Sequence, residues 1–313
     1  MIVAQALTKR YGDTTAVDDL SFTVSPGHVT GFLGPNGAGK STTMRMIVGL
    51  DRPTDGHVSV DGTAYRKSQA PLHQVGALLE ARSVHTGRSA YHHLLAMAQT
   101  NGIPRSRVDA VIALVGLEGV SRRRAGAFSL GMGQRLGIAA ALLGDPATLI
   151  LDEPVNGLDP EGVLWIRNLL KSLAAEGRPV LVSSHLMSEM AVTAEHLVVI
   201  GRGRLIADTT VEELVARASG AAVRVRSPQA TELRDLLVRK GATVTSIEPQ
   251  LLEVVDLSRE AVGELAAKNS LTLHELSSHT PTLEEAFMEL THDSVDFHAS
   301  APSPVLVADR TAA

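Results

Sequence analysis

The segment Gly34-Pro35-Asn36-Gly37-Ala38-Gly39-Lys40-Ser41 matches the pattern G-x-x-x-x-G-K-[ST] of a phosphate-binding loop. It follows an apolar run at residues 29–33, which suits a buried parallel strand, and precedes residues 42–50, whose apolar side chains recur at helical spacing. The glycines let backbone N–H groups turn toward a phosphate, and the helix N-terminus adds partial positive charge. Lys40 can reach the β- and γ-phosphates, and the hydroxyl of Ser41 can bind Mg²⁺. A chance match of a Gly-rich turn is the alternative, so other motifs must support the loop.

The composition narrows the class of protein. The 313 residues are enough for two domains, and 44% of them are hydrophobic. The formal net charge of −5 and an aromatic content of 3% give neither a basic footprint nor stacking platforms for nucleic acid. The absence of cysteine excludes disulfides, thiolate catalysis and Cys-ligated zinc. There is no signal-peptide pattern and no apolar run approaching about 18 residues, so we expect no membrane-spanning helix.

Two acids follow the apolar run at residues 148–151. Asp152 and Glu153 therefore fall at the carboxyl end of a buried strand, where ligands of open α/β sheets bind. Asp152 is placed to hold Mg²⁺, and Glu153 is placed to polarise an attacking water. The alternative, two ordinary acids in a turn before Pro154, is the weaker interpretation because a phosphate-binding loop lies upstream.

Three further candidates also have ordinary explanations. His185 follows the predicted strand at residues 179–184 and could donate to a γ-phosphate, although histidines are more often structural or surface residues. Tyr11 could stack on adenine or pack on a sheet edge, and its spacing alone favours packing. Glu80 ends an apolar strand and is a candidate for the metal or a water, although locally a solvated loop acid is the simpler explanation.

Residues 83–145 have a different character, with amphipathic helices predicted at residues 89–100 and 105–115. The segment Ser129-Leu130-Gly131-Met132-Gly133-Gln134 then precedes a helix predicted at residues 136–143. A serine and small residues before a helix form a potential anion site, but they also form a routine helix cap. By itself this segment is a weak signal.

Together these residues resemble the ATP-binding subunit of an ABC transporter, over about residues 1–215. The loop at residues 34–41 is similar to the family's Walker A, residues 129–134 to its signature loop, residues 149–153 to Walker B with the catalytic glutamate, residues 157–159 to the D-loop, and His185 to the switch histidine. Tyr11 falls where the family's adenine-stacking aromatic lies, which reverses the interpretation from spacing alone. Five motifs in the family's order make coincidence negligible, and the pattern is most similar to ATPases of drug- and antibiotic-export systems.

The resemblance implies an ATPase that uses ATP and Mg²⁺, with catalytic roles for Lys40, Glu153 and His185. It implies nucleotide contacts from Tyr11, Gly34, Pro35, Asn36, Gly37, Ala38, Gly39, Lys40, Ser41, Thr42, Ser129, Gly131 and Asp159. It implies metal contacts from Ser41, Asp152 and Glu80. Two subunits are expected to enclose two ATP molecules, each between Walker A of one subunit and the signature loop of the other.

Two positions depart from the family pattern. Glu80 stands where the Q-loop has glutamine; a carboxylate can approach Mg²⁺ or water, but it cannot donate an N–H as an amide does. Leu130 stands where the signature loop usually has glycine, while Ser129 and Gly131 are retained. Contact of the signature loop with a γ-phosphate in trans is still expected.

The predicted fold class is α/β: a P-loop NTPase domain of the ABC type at residues 1–215, with a helical subdomain at about 83–145, plus a small α+β domain at residues 220–291. The smaller domain has the element order β-α-β-β-α-β of a ferredoxin-like unit and no cluster of catalytic residue types. We expect it to be regulatory or to support a dimer. Residues 292–313, rich in Ala, Ser and Pro, are expected to be a disordered tail.

The favoured function is an ATPase subunit that energises export of a drug, antibiotic or other amphipathic compound. We expect a homodimer bound to an integral membrane permease at the cytoplasmic face of the cell membrane, with no nucleic acid partner. The alternative is a soluble ABC-type ATPase that acts on ribosomes or DNA, but those typically carry tandem ATP domains or long coiled-coil insertions. A non-hydrolysing ATP-binding regulator is disfavoured by Lys40, Asp152, Glu153 and His185. The sequence does not identify the cargo.

Overall fold

The computed structural model describes residues 1–80, 84–217, 222–279 and 281–291. The strands are, in chain order, β1 Ile2–Tyr11, β2 Thr14–Val24, β3 Val29–Leu33, β4 Asp55–Val60, β5 Val75–Leu78, β6 Thr148–Asp152, β7 Val180–Ser183, β8 His196–Gly201, β9 Arg204–Thr210, β10 Ala222–Arg226, β11 Thr243–Glu248, β12 Leu251–Val255 and β13 Glu275–His279. The α-helices are α1 Lys40–Ile47, α2 Pro71–Gln74, α3 Ala90–Thr100, α4 Arg105–Leu114, α5 Leu130–Leu142, α6 Pro160–Ala175, α7 Met187–Thr193, α8 Val211–Arg217, α9 Ala230–Arg239, α10 Arg259–Lys268 and α11 Leu283–Thr291.

A six-stranded sheet in the order β5-β6-β7-β3-β8-β9 forms the centre of the fold. Its pairs are parallel except for β8 with β9, which form an antiparallel hairpin around Gly201-Arg202-Gly203. Every residue of β3 is buried, as its continuous apolar sequence predicts for a central parallel strand. The register pairs Ser183 with both Phe32 and Asp152, so β3, β6 and β7 end at the same edge of the sheet.

A second, antiparallel sheet has the order β2-β1-β4 and packs on the central sheet. The rings of Phe22 and Phe32 stack across this contact with their centroids 5.4 Å apart. Strand β2 runs without interruption from Thr14 to Val24. The chain accommodates this with Asp19 in the left-handed region, at φ 53°, beside an irregularity in the β1–β2 register.

Helices α3, α4 and α5 form the helical region expected within residues 83–145, and they pack through buried aliphatic residues such as Leu94, Val108 and Leu136. The helix predicted at residues 136–143 begins earlier, at Leu130, because the Ser129 hydroxyl accepts a hydrogen bond from the Met132 N–H and caps it. The apolar pattern did not reveal this first turn because two glycines interrupt it.

The C-terminal strands form a four-stranded antiparallel sheet in the order β11-β12-β10-β13, with α9 and α10 packed on one face. This is the arrangement that a β-α-β-β-α-β unit of the ferredoxin-like type gives. The last strand of the unit, β13, begins at Glu275. The tail predicted at residues 292–313 lies outside the described residues.

The last helix, α11, connects this C-terminal unit to the rest of the protein. Leu283, Ala286 and Phe287 belong to the same hydrophobic cluster as Met190 of α7 and Leu214 of α8. Across the residues that the structure describes, no helix has both the length and the apolar character needed to span a membrane.

Candidate nucleotide-binding site

The phosphate-binding loop, residues 34–41, joins the end of β3 to the start of α1. Gly39 immediately precedes the helix with φ 101°, a conformation that favours glycine. A Cβ at this position would also lie 2.6 Å from the carbonyl oxygen of Ala16, so both backbone conformation and space require glycine. The strand–loop–helix context predicted from the sequence is therefore present.

Lys40 lies at the mouth of this loop. Its Nζ donates hydrogen bonds to the carbonyl oxygens of Gly34, at 2.6 Å, and Pro35, at 3.1 Å. Burial lowers the pKa of the Lys40 amine below its ordinary value, while the negative charges of Glu153 and Asp152 act in the opposite direction. The amine is thus held by backbone oxygens close to both acids.

Asp152 connects the loop with the ends of two strands. The Ser41 hydroxyl donates to one Asp152 carboxylate oxygen at 2.7 Å, and the Ser183 hydroxyl donates to the other. A hydroxyl and a carboxylate are hard oxygen donors, and Mg²⁺ bound with a nucleotide typically takes only one or two protein ligands beside the phosphates. Because their donors are of this kind, Ser41 and Asp152 fit a Mg²⁺ that arrives with a nucleotide. Within the described residues no group of three or more acids or histidines could hold a metal by itself.

Glu153 and His185 are paired at the same edge of the sheet. The Nδ1 of His185 lies 2.7 Å from a carboxylate oxygen of Glu153. The backbone of Glu153 is in the left-handed region at φ 51°, which is unfavourable for a residue with a Cβ. Two side chains hold it there: the Glu153 N–H donates to the Ser183 hydroxyl, and the Gln134 amide donates to the Glu153 carbonyl, each at 3.0 Å.

A cavity of about 670 Å³ lies in front of these groups. Residues 36–42, Asp152 and Glu153 line it, and so does Glu80, two residues after β5. The central sheet therefore brings the three predicted metal-contacting residues, Ser41, Asp152 and Glu80, to one cavity. Leu130, Gln134, Asn156 and Gly157 form another part of its lining.

Tyr11 lies away from the lining of this cavity, with 49% of its surface exposed. Its hydroxyl donates to Asp51 at 3.0 Å, and the Lys9 Nζ lies 4.8 Å from the centre of its ring. The Arg45 guanidinium donates to the same carboxylate at 2.8 Å. Burial, and after it the hydrogen bond to Asp51, holds the pKa of the Tyr11 phenol above its ordinary value.

Within the signature-like segment, Ser129 and Gly131 do not line the phosphate cavity of this chain, although Leu130 and Gln134 do. Ser129 caps α5 and lines a separate cavity of about 300 Å³ together with Val84, Thr86 and Phe128. Gly131 lies against the backbone of Gly157, where a Cβ would come within 2.6 Å of the Gly157 carbonyl oxygen. The structure therefore does not bring Ser129 and Gly131 together with Lys40 and Asp152.

Asp159 has a structural contact within its own chain. Its carboxylate accepts a hydrogen bond from the Gly162 N–H at 2.9 Å and so caps α6. It also lies 3.9 Å from the guanidinium of Arg135, which stacks on Trp165. This side chain, too, is not part of the phosphate cavity.

Sequence reasoning missed two residues that support the acids. Ser183 was assigned only to a strand, although its position at the carboxyl end of β7 beside β6 is a usable signal. Gln134 was assigned only to the end of the signature-like segment. It is only 2% exposed and points at the Glu153 carbonyl, because α5 begins at Leu130 and turns this side chain inward.

Comparison with known proteins agrees with this geometry. The ABC transporter family profile matches residues 17–156, and the profile of a domain of unknown function matches residues 221–284. Over 296 residues the chain is 38% identical to YhcH, an uncharacterized ABC transporter ATP-binding protein of Bacillus subtilis (strain 168), covering 92% of this chain and 95% of YhcH.

Two further similarities support the same family. The chain is 35% identical over 296 residues to the bacitracin transport ATP-binding protein BcrA of Enterococcus faecalis, covering 93% of this chain and 96% of BcrA. It matches a solved ATP-binding subunit of an ABC transporter with a TM-score of 0.63 and 25% identity, covering 68% of this chain and 91% of that one. A strand-to-helix phosphate loop, two acids and a histidine at one sheet edge, together with these relatives, identify the chain as an ATP-hydrolysing ATP-binding protein of the ABC transporter family.

Proposed function

We propose that this ATPase energises the export of an antibiotic-like amphipathic compound through a separate membrane-spanning subunit. The observation that carries the ATP-hydrolysing part is the convergence of Lys40, Ser41, Asp152, Glu153 and His185 at one sheet edge. The similarity to a bacitracin transport protein over nearly the whole chain supports the export part. We place the protein at the cytoplasmic face of the cell membrane, where such a partner would recruit it.

The proposed roles follow from the contacts. The loop N–H groups and Lys40 bind the β- and γ-phosphates, and binding would exchange the present Lys40 contacts with Gly34 and Pro35 for phosphate oxygens. Mg²⁺ would be held by Ser41 and Asp152 and would neutralise charge on the phosphates. Glu153 accepts a proton from the attacking water, and His185 keeps the Glu153 carboxylate oriented through their 2.7 Å contact.

The remaining predicted contacts require a second copy of the chain. Ser129, Gly131 and Asp159 lie outside the phosphate cavity of their own subunit, which is consistent with contacts to nucleotide bound by a partner. Tyr11 is proposed to stack on the adenine with its exposed ring. Because the second copy would add the hydrogen-bond donors of Ser129 and Gly131 only in the closed dimer, hydrolysis would depend on closure.

We propose that the membrane partner docks near Glu80 and the neighbouring helical region.

The decisive experiment compares wild-type protein with Glu153→Gln. General-base action contributes roughly 10²–10⁴-fold, so this variant should bind ATP and dimerise but lose at least about a hundredfold in hydrolysis rate. In the native host, wild type should restore resistance to peptide antibiotics in a strain that lacks the protein, and Glu153→Gln should not. Near-normal turnover by the variant would remove Glu153 from its role. The export proposal would be overturned if wild type did not change the resistance of the strain that lacks the protein and if the protein cosedimented with ribosomes. The ATPase chemistry would still stand.

A further inference from the structure

The surface of the helical region carries five exposed arginines: Arg88, Arg105, Arg122, Arg123 and Arg124. None of them forms an ion pair with a carboxylate of any residue that the structure describes. Arginines elsewhere in the chain commonly have such partners, as Arg45 has Asp51 and Arg178 has Asp145. We call these five residues the arginine surface.

Backbone pairing brings the arginine surface together from distant positions in the sequence. The Ala125 N–H donates to the Arg88 carbonyl at 2.8 Å, and Ser89 and Arg124 form an isolated antiparallel bridge. The segment that precedes α3 therefore runs beside residues 121–125. This pairing places the arginine run at 122–124 next to Arg88.

Tyr91 holds two of the guanidinium groups in place. The Arg122 guanidinium carbon lies 3.9 Å from the centre of the Tyr91 ring, and that of Arg105 lies 5.5 Å away. The Arg105 Nε also donates a hydrogen bond to the Tyr91 hydroxyl. A guanidinium ordered in this way loses less conformational freedom when it binds a phosphate or carboxylate with two parallel hydrogen bonds.

The local charge is opposite to that of the whole protein. Residues 84–145 contain seven arginines and three acidic residues, a net charge of +4, whereas the whole chain has a formal net charge of −5. Overall attraction to anionic surfaces is therefore not expected, and any such attraction must come from a local surface.

We infer that the arginine surface binds the phosphates of anionic lipid headgroups and orients the protein on the membrane. The inference rests on the proposed function, because it requires the protein to work beside a membrane. Clusters of four to eight basic residues are typical of surfaces that recognise anionic lipids. A lipid surface presents many phosphates side by side. Five exposed arginines match this arrangement better than they match one bound acidic peptide.

The test is sedimentation of the purified full-length protein with lipid vesicles, without nucleotide or membrane partner. Wild type should bind vesicles that contain about one third phosphatidylglycerol, bind poorly to pure phosphatidylcholine, and be released by salt. The variant Arg88→Gln/Arg123→Gln/Arg124→Gln should bind about a hundredfold more weakly, or about fivefold for each arginine. It leaves the contacts of Arg105 and Arg122 with Tyr91 intact, so the local fold should be retained.

A matched control removes three positive charges from the C-terminal unit: Arg234→Gln/Arg239→Gln/Arg259→Gln. Its vesicle binding should equal that of wild type. Equal losses in both triple variants, or equal binding of wild type to both kinds of vesicle, would overturn the inference. Binding to polyglutamate that depends on Arg88, Arg123 and Arg124, without binding to anionic vesicles, would also overturn it and would assign the surface to an acidic protein segment.

The ATPase rate without vesicles separates this inference from the proposed function. The arginine variant should hydrolyse ATP at the wild-type rate and unfold at the wild-type temperature, because none of the three side chains lines the phosphate cavity. If purified wild-type protein does not hydrolyse ATP, the proposed function is contradicted, whatever the result with vesicles. Normal ATPase activity without anionic vesicle binding would contradict only the lipid inference.

Discussion

Replacing Gln134 by methionine should slow ATP hydrolysis without weakening ATP binding. Gln134 is only 2% exposed, and its amide donates to the Glu153 carbonyl at 3.0 Å. This hydrogen bond supports a backbone conformation, φ 51°, that costs a residue with a Cβ roughly 1–2 kcal/mol. Methionine has a similar length and keeps the packing, but it has no N–H to donate.

The expected magnitude follows from the lost hydrogen bond. A neutral hydrogen bond of this kind contributes about 1 kcal/mol, and a buried carbonyl left without a donor costs roughly 1–3 kcal/mol. If the released Glu153 backbone relaxes toward the right-handed region, its carboxylate leaves His185. If the aligned conformation of Glu153 becomes less stable by about 1.4 kcal/mol relative to the relaxed one, kcat falls about tenfold. KM for ATP should stay nearly unchanged.

The assay is steady-state ATP hydrolysis combined with a thermal unfolding curve. Gln99→Met is the matched control, since Gln99 is an exposed residue of α3 and the same substitution there should change neither kcat nor stability. A Gln134→Met protein with wild-type kcat would refute the positioning role. A rise in KM at constant kcat would also refute it, because it would place the effect on nucleotide binding.

Three further perturbations test the loop and the C-terminal helix. Lys40→Ala should bind ATP at least about tenfold more weakly in a fluorescence titration, and unchanged affinity would contradict the loop assignment. Gly39→Ala should lower the free energy of unfolding by about 2 kcal/mol or more. The new Cβ would lie 2.6 Å from the Ala16 carbonyl oxygen, in addition to the backbone strain at φ 101°. Gly12→Ala is the control, because Gly12 has φ 57° and open space around it and should show the effect of backbone strain alone. Phe287→Ala should cost about 3 kcal/mol in denaturant unfolding, whereas truncating its exposed neighbour Met288 should cost less than about 0.5 kcal/mol; equal effects would show that α11 does not pack as described.

The phosphate site could be predicted because its components are local. For a glycine pattern before a helix, or an acid directly after an apolar run, about ten neighbouring residues are enough to predict the local strand, loop and helix. Ligands of such sheets bind at the carboxyl ends of the parallel strands, so the acids and the loop are expected at one edge. The prediction of the α5 boundary was less accurate, since Gly131 and Gly133 weakened the helical pattern and the cap at Ser129 decided the start. In the C-terminal unit, element order alone led to the ferredoxin-like arrangement, and the observed strand order agrees with it.

The sequence by itself determined the phosphate-binding loop, the acids at the end of β6 and the family. Only the tertiary structure decided that Gln134 supports Glu153, that α11 packs on α7 and α8, and that Arg88 lies beside the arginines at 122–124. The physical reason is range. Backbone conformation and hydrophobic periodicity are encoded by neighbouring residues. The acceptor of a buried amide, or the surface that packs on an apolar helix face, depends instead on how distant segments pack. Many such acceptors and surfaces are chemically equivalent until the chain has folded.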